Sequence, residues 1–424
     1  MGFKLPKLHW QILIGLILGI IFGTQISLDT TFLEINLFDT VNLVGNLFLN
    51  ALKMMVVPLI ISTIIIGTAR IAQEKDLGRL GGMTFTYYAL TGAIAILVGL
   101  IVLNLIKPGI VNGEPAQHLL GLTELDESLL AGVEATSQAG FSHFLYRLLP
   151  PNIVQAANEG QLLGLIVFSL LFGYGTRNLK PSLRKPFLKF WEASFEVLMH
   201  ITNIIIRFAP IGVFAFMTKV AATTGLDALR PLATFFSVII IALSIHTFII
   251  LPLLLLTIAR VNPINHFKAM LPALLTAFST SSSAATLPIT IECVEERAGV
   301  SNKVSSFVLP LGATINMDGT ALYECGVVMF LAQLYGLDLS FTQQLTIAIA
   351  ALLTSVGVAG IPSASLVAII VILSYLGLPM EAVAIILAID RPLDMARTAV
   401  NVFSDSCGAV IIGRLEGEKN ILTT

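Results

Sequence analysis

Two stretches, Thr276-Ala-Phe-Ser-Thr-Ser-Ser-Ser-Ala-Ala-Thr-Leu-Pro288 and Thr354-Ser-Val-Gly-Val-Ala-Gly-Ile-Pro-Ser-Ala-Ser365, break into a chain that is otherwise apolar. Of its 424 residues, 56% are hydrophobic and 12% charged, with a mean hydropathy of +0.89. A soluble chain carries about 25% charged residues, so most of this one belongs in lipid. Apolar runs recur at about 10–28, 36–68, 84–107, 142–176, 190–220 and 231–259, judged against the ~20 residues that cross a ~30 Å hydrocarbon layer. From 266 to 412 the chain stays apolar but is interrupted by Ser, Gly, Pro, Asn and Asp clusters, and each half is too short to span alone. Irregular backbone at membrane depth persists only where it is buried in protein or lines a cavity. A corresponding pair of such breaks marks a transporter site built from inverted repeats. The competing reading is a pair of extramembrane loops; the polar helix that follows each break weighs against it.

Basic residues set the orientation. Arg70, Lys75 and Arg79 follow the second run, and Arg177, Lys180, Arg184, Lys185 and Lys189 precede the fifth; the positive-inside rule turns both toward the cytoplasm. The stretch Pro108–Tyr146 holds Glu114, Glu124, Asp126, Glu127 and Glu134 without Lys or Arg, as an outward loop should. Lys4 and Lys7 place the N-terminus inside, and Arg414 and Lys419 the C-terminus. The N-terminal residues run into the first apolar segment with no small-residue cleavage site, which reads as a spanning helix and not a removed signal. On that parity the first broken segment dips in from the cytoplasm and the second from outside. A formal charge of −2 gives no sign of a nucleic-acid partner, and Cys293, Cys325 and Cys407 lack metal-ligand spacing.

The last apolar segment contains Asp390, Arg391, Asp394, Arg397, Thr398, Asn401 and Asp405. At ~100° per residue these lie on one stripe about 120° wide, with Leu393, Ala396, Val400 and Phe403 opposite. A charge at mid-bilayer costs at least ~2.5–3.5 kcal/mol, so several on one stripe imply a hydrated or ion-filled interior. A helix interface held by buried ion pairs such as Asp394–Arg397 is the alternative, but such pairs tend to break even at best, and Asn401 and Asp405 have no cationic partner in it. Arg397 offers a planar fork that suits a carboxylate; Asp394, one turn earlier, suits an ammonium. Asn401 and Asp405 are hard oxygen ligands for an alkali cation.

The polar helix before it, Gly312-Ala-Thr-Ile-Asn-Met-Asp-Gly-Thr-Ala-Leu-Tyr-Glu324, adds more. Gly319 is expected to loosen the helix and free carbonyls for a cation. Asn316, Thr320 and Glu324 are expected on one face, with Asp318 pointing elsewhere. Glu324 in an apolar wall is a candidate proton carrier, the alternative being a protonated, hydrogen-bonded core residue. Ser281-Ser-Ser283 could suggest a serine nucleophile, yet no His follows His266, and no Lys lies between Lys303 and Lys419, to activate it. Hydroxyls at a hairpin tip instead suit contacts to a carboxylate at half-helix N-termini, so no enzyme is expected.

Ala209-Pro-Ile-Gly-Val-Phe214, Ser281-Ser-Ser with Thr286-Leu-Pro, Gly312 to Tyr323, Gly360-Ile-Pro, and Asp394-Met-Ala-Arg-Thr with Asn401 and Asp405 resemble the dicarboxylate/amino acid:cation symporter family, the glutamate-transporter homologues, over essentially the whole chain. The resemblance implies an all-α polytopic membrane protein with eight transmembrane helices and two re-entrant helical hairpins, forming a homotrimer of elevator type. In that scheme residues 1–83 are scaffold helices 1–2, and 84–107 is helix 3 of the mobile transport domain. An extracellular loop covers 108–141, scaffold helices 4–5 cover 142–220, the rest of the transport domain covers 221–415, and a cytoplasmic tail covers 416–424.

Carried over position by position, the resemblance implies substrate contacts from Ser281, Ser283, Thr320, backbone around Ile361, Asp394, Arg397, Thr398 and Asn401. It implies a first sodium site at Gly312, Asn316, Asn401 and Asp405. A second uses Thr314 with carbonyls of Ser355, Val356 and Val358, and a third uses Tyr88, Thr91, Asn316 and Asp318. Members for dicarboxylates lacking an amino group lack the acid at Asp394, and neutral amino-acid members replace Arg397; this chain keeps both, which favours acidic amino acids. Proton-only bacterial relatives tend to carry Asn where Asp405 stands, which favours Na+. Gly92 stands where relatives often have Ser or Thr at the third site. Glu324 matches the position of proton carriage in the eukaryotic branch. An extra Arg of the first hairpin or of position 395 is absent (Met395 stands there), with Arg391 as candidate substitute. The expectation is sodium-driven uptake of L-aspartate or L-glutamate into a bacterial-type inner-membrane protein, with the second hairpin as outer gate. A channel-like or ligand-sensing homologue and a proton-coupled dicarboxylate/glutamate symporter are the alternatives.

Overall fold

The computed structural model describes residues 8–27, 29–32, 35–73, 79–120, 122, 146, 148–158, 162–224, 229–357, 365–376, 378–379 and 382–422. These are mostly helical: α1 (Leu8–Gly23), α2 (Leu37–Gln73), α3 (Arg79–Ile106), α4 (Leu162–Gly175), α5 (Pro181–Arg207) and α6 (Ala209–Thr224). There follow α7 (Leu229–Ala259), α8 (Pro263–Thr280), α9 (Ser283–Glu292), α10 (Asn302–Ile315), α11 (Asp318–Leu334), α12 (Phe341–Gly357), α13 (Ser365–Leu376) and α14 (Val383–Leu415). Two antiparallel hairpins of two-residue strands, Thr31–Phe32 with Ile35–Asn36 and Ile110–Val111 with Glu114–Pro115, are the β-structure among the described residues. Glu124 to Glu134 lie outside the described residues.

By length and composition, α3 and α7 each suffice to cross a membrane, and α5 with α6 forms a third, bent unit. The apolar run at 190–220 is therefore not one rod: α5 starts at Pro181, its fixed φ suited to a first helical turn, and the chain bends 47° into α6. The run at 231–259 is continuous but contains two π-helical stretches, His246–Ile250 and Leu255–Ala259.

α1, α2, α4, α5 and α6 pack largely on one another; α3 packs on α11 and α7; α14 runs between α8, α10 and α11. Close approach of α1 to α6 comes from Gly15, Gly19 and Gly23, one turn apart. A Cβ there would lie 2.4, 2.6 and 2.5 Å from the carbonyl oxygens of Pro210, Phe214 and Thr218, also one turn apart. Lipid tails are as apolar as side chains, so helices in a membrane associate through such backbone contact. Hydroxyls are buried by turning back on their own helix: Thr84, Thr202, Thr276 and Thr346 donate to the carbonyls of Leu80, Leu198, Pro272 and Thr342.

The C-terminal segment is part of the packed structure. Arg414 donates to the carbonyls of Glu418, Lys419 and Ile421; Ile421 is fully buried, and the Leu422 N–H reaches Ala298 O. Glu418 accepts from the backbone N–H of Ser301. This clasp ties the end of α14 to the segment joining α9 to α10.

Gly19→Ala is expected to destabilise the purified protein by about 1–3 kcal/mol through overpacking. Gly67→Ala, whose new Cβ meets open space beside its own helix among the described residues, is expected to be neutral or to stabilise by up to about 1 kcal/mol. Thermal unfolding in detergent checks the pair, and equal midpoints would refute the packing argument.

Candidate functional site

Both broken segments of the sequence lie at helix interruptions. In the first, α8 ends at Thr280, Ser281 takes a left-handed conformation (φ 52°), and Ser282 caps α9 by accepting from the Ala285 N–H. Ser281 and Ser283 are buried, the Ser281 hydroxyl has no partner, and α9 packs against α14. In the second, α12 ends at Gly357 and α13 begins at Ser365; the expected ligands Val358 and Ile361 lie outside the described residues. Ser355 and Val356 occupy the last turn of α12, which packs against α10, the helix of Thr314. The Thr314 hydroxyl donates to Leu311 O at 2.9 Å.

The polar helix breaks at Asn316–Met317, not at Gly319. Asn316 thus leaves the face of Thr320 and Glu324, correcting the expectation of one continuous helix. Gly319 instead permits close packing, since a Cβ there would lie 2.8 Å from the Arg397 carbonyl oxygen. Its N–H donates to Asn401 Oδ1 at 2.8 Å, and Asn401 Nδ2 donates to Thr320 Oγ1 at 3.0 Å.

The polar stripe of α14 is buried, with Asp390, Asp394, Arg397, Thr398, Asn401 and Asp405 all under cover, while Pro392 behind it is exposed. Arg397 Nη2 reaches Asp394 Oδ1 at 2.9 Å and Asp390 Oδ1 at 3.3 Å, while Nη1 donates to Ser365 Oγ on α13 at 2.6 Å. Its guanidinium lies 3.8 Å over the Tyr323 ring, and Tyr323 Oη donates to Asp390 at 2.9 Å. Arg391 Nη1 holds the other oxygen of Asp394 at 3.2 Å. Among the described residues, the Arg397 Nε–H has no partner. The fork is therefore held flat on an aromatic face with a donor to spare, next to a carboxylate. Thr398 donates back to Asp394 O.

Toward the other end of the stripe, Asn316 Nδ2 donates to Asp405 Oδ1 (2.9 Å) and Ser404 Oγ (3.0 Å). A Cβ at Gly312 would lie 2.5 Å from Asp405 Oδ1. Gly312, Asn316 and Asp405 thus converge, while the Asn401 amide faces Thr320 and Gly319. Thr91 Oγ1 lies 3.4 Å from Asn316 Oδ1. The Tyr88 hydroxyl is committed to Val308 O at 2.7 Å. Asp318 Oδ2 accepts from Ser404 Oγ (2.6 Å) and from His246 Nε2 (3.0 Å), whereas Oδ1 has no partner. Glu324 Oε2 accepts from Thr354 on α12 at 2.9 Å; its Oε1 is also bare.

Asp318, Glu324, Asp390, Asp394 and Asp405 thus share one buried region with two guanidinium groups, those of Arg391 and Arg397. Excess carboxyl groups with orphan oxygens in an apolar interior suit a cation, by charge and by hardness. Sequence reasoning assigned no role to Asp390, Tyr323, Ser365, Ser404, Thr354 or His246. Asp390 was already visible in the polar stripe. His246 carried the signal of a lone ionisable residue in a spanning run.

A sequence profile of the sodium:dicarboxylate symporter family matches residues 8–415. The chain is 35% identical to a proton/sodium-glutamate symport protein of Geobacillus stearothermophilus, covering 97% of this chain and 95% of that one. It is 32% identical to the proton/glutamate-aspartate symporter of Escherichia coli (97% and 93% covered). It is 33% identical to excitatory amino acid transporter 3 of Mus musculus (96% and 86%).

Tyr323→Phe is expected to lower stability by about 1.5–3 kcal/mol, because Asp390 loses a donor in a buried site. Tyr323→Leu is expected to cost about 2 kcal/mol more through the lost cation–π contact. Thermal unfolding of the three proteins checks the order, and equal midpoints for Phe and Leu would rule out the ring contact.

Proposed function

Since the chain belongs to the sodium:dicarboxylate symporter family, we propose that it takes up acidic L-amino acids, aspartate or glutamate, across the cell's inner membrane, coupled to sodium. The observation that carries this reading is the buried pair of Arg397 and Asp394, 2.9 Å apart. Arg397 receives the substrate's distal carboxylate and Asp394 its ammonium. Entering substrate takes over the guanidinium–carboxylate bonds that these residues make to each other, so two buried charges exchange partners without either being left bare. Ser281, Ser283, Thr320, Thr398, Asn401 and backbone around Ile361 complete the contacts.

Sodium enters as cargo. Gly312, Asn316, Asn401 and Asp405 hold one ion, Thr314 with carbonyls of Ser355, Val356 and Val358 a second, and Tyr88, Thr91, Asn316 and Asp318 a third. The excess of buried carboxyl groups supports cation coupling: a substrate that is itself anionic worsens the imbalance unless cations come with it. Eight spanning helices and two re-entrant hairpins form a homotrimer with both termini in the cytoplasm. Residues 1–83 and 142–220 form its scaffold; 84–107 and 221–415 move as the transport domain. The second hairpin closes once ions and substrate favour its closed state, a shift of population toward the state that binds them better.

A second reading, proton coupling, is favoured by Glu324. It is fully buried and receives one hydrogen bond from Thr354, leaving the other oxygen free to bear a proton.

In proteoliposomes, aspartate uptake is expected to require an inward sodium gradient. Arg397→Cys is expected to lose acidic substrates at least about 100-fold, the scale of a lost bidentate charge pair, and Asp394→Ala to lose discrimination for the amino group. Unchanged aspartate affinity in purified Arg397→Cys protein sinks the assignment. If Glu324 carries a proton inward, wild-type uptake falls as external pH rises and Glu324→Gln flattens that profile. Sodium-dependent binding that ignores pH in both proteins removes the proton role.

A further inference from the structure

His246 is a buried ionisable side chain for which the uptake scheme has no use. It opens the π-helical stretch His246–Ile250 in the middle of α7, the kind of widened turn that recurs at functional sites. Its Nε2 lies 3.0 Å from Asp318 Oδ2, and both side chains are fully buried. A carboxylate oxygen accepts, so the hydrogen bond assigns a proton to Nε2, and Nδ1 has no partner among the described residues.

Oδ2 of Asp318 is thus engaged twice, by His246 and by Ser404 Oγ at 2.6 Å. With that oxygen held from two helices, α7 and α14, the carboxylate cannot rotate freely. Its other oxygen, Oδ1, is left bare and points at α3: a Cβ built on Gly92 would lie 3.5 Å from it and 3.1 Å from Leu352 Cδ2. Gly92 supplies no hydroxyl, and Leu352 is apolar. Thr91 on the same turn is already bound to backbone carbonyls and Asn316.

We infer that His246 is a positioning residue for cation binding at Asp318: its Nε2–H, with Ser404, fixes one carboxylate oxygen so that the other is presented to a sodium ion beside Thr91 and Gly92. A neutral donor suits this task because it orients the carboxylate without cancelling its charge, as a lysine in the same place would. The inference rests on the reading of Asp318 as a sodium ligand, and it assigns the ordering of that ligand to α7, a helix that contributes no ligand itself. It also offers a structural answer to the glycine at position 92, since a carboxylate held in one orientation depends less on a neighbouring hydroxyl.

The test is thermal unfolding of the purified full-length protein, without amino acid, titrated with sodium chloride against choline chloride at constant ionic strength. Wild type is expected to be stabilised by sodium. His246→Ala is expected to need about tenfold more sodium for the half-maximal shift, the usual loss when a group orienting a metal ligand is removed. His246→Gln, whose amide N–H can donate to the same oxygen, is expected to return to within about threefold of wild type. Wild-type sodium dependence in His246→Ala overturns the inference. So does equal weakening in His246→Ala and His246→Gln, which marks the ring as packing alone. Should His246→Ala not fold, Ser404→Ala removes the other donor and is expected to shift the sodium requirement in the same direction; no shift there overturns the inference too. Sodium that fails to stabilise the wild type overturns it as well, while aspartate binding in the same protein, measured with and without sodium, decides separately whether acidic amino acids are the substrate.

Discussion

The Asp394–Arg397 hydrogen bond, between two side chains that are both buried, is the interaction around which the rest is arranged. A charged pair in such a place contributes little net stability, and removing one partner leaves the other uncompensated. The surroundings answer that cost. Tyr323 lies beneath the guanidinium, Asp390 and Ser365 accept two further bonds from it, and Arg391 holds the far oxygen of Asp394. α8, α10 and α11 pack around the part of α14 that carries these groups.

That packing needs backbones to come close and polar groups to be satisfied without water. The Gly319 contact with the Arg397 carbonyl, and the glycine stripe of α1 on the carbonyls of α6, solve the first problem in the same way. Threonine hydroxyls turned back on their own carbonyls solve the second. The interruption at Asn316–Met317 serves both purposes. It releases the Asn316 side chain from the face of α11 so that it can meet Asp405 and Ser404, and it starts a new helix at Asp318. A continuous helix would have carried Asn316 toward Glu324 and left Asp405 without its donor.

The sequence showed the features that depend on period and composition. Seven polar residues at helical spacing in an apolar run specified the buried face of α14, and the matched Ser/Gly/Pro interruptions marked where α8 gives way to α9 and α12 to α13. What it hid depended on tertiary approach. Gly15, Gly19 and Gly23 read as ordinary apolar filler because their role lies in the carbonyls of another helix. The bend after Arg207 lies within unbroken hydrophobicity. Helical period carried across Asn316 puts that residue on the face of Thr320 and Glu324, whereas the backbone departs from the helix at Asn316 and Met317. His246 stands in the sequence as a single ionisable residue in an apolar run, and its partner, Asp318, lies 72 residues away.

Under the proposed function, the bond from Arg397 to Ser365 links charge recognition to movement. Ser365 is the first helical residue after the interruption in the second broken segment, and its hydroxyl accepts from the guanidinium at 2.6 Å. Under the proposed function, a substrate carboxylate competes for that guanidinium, so occupancy of the pocket and position of α13 cannot be independent. Thr354, on the arm before the interruption, donates to Glu324 on α11, so the same hairpin is tied at its other side to a group that can take up a proton. On the proposed reading one arm responds to substrate and the other to a carboxyl on the polar helix. A ligand moves such an element only by the difference in its affinity for the two positions. Here the differential contacts have names: Arg397 with Ser365 on one side, and Glu324 with Thr354 on the other.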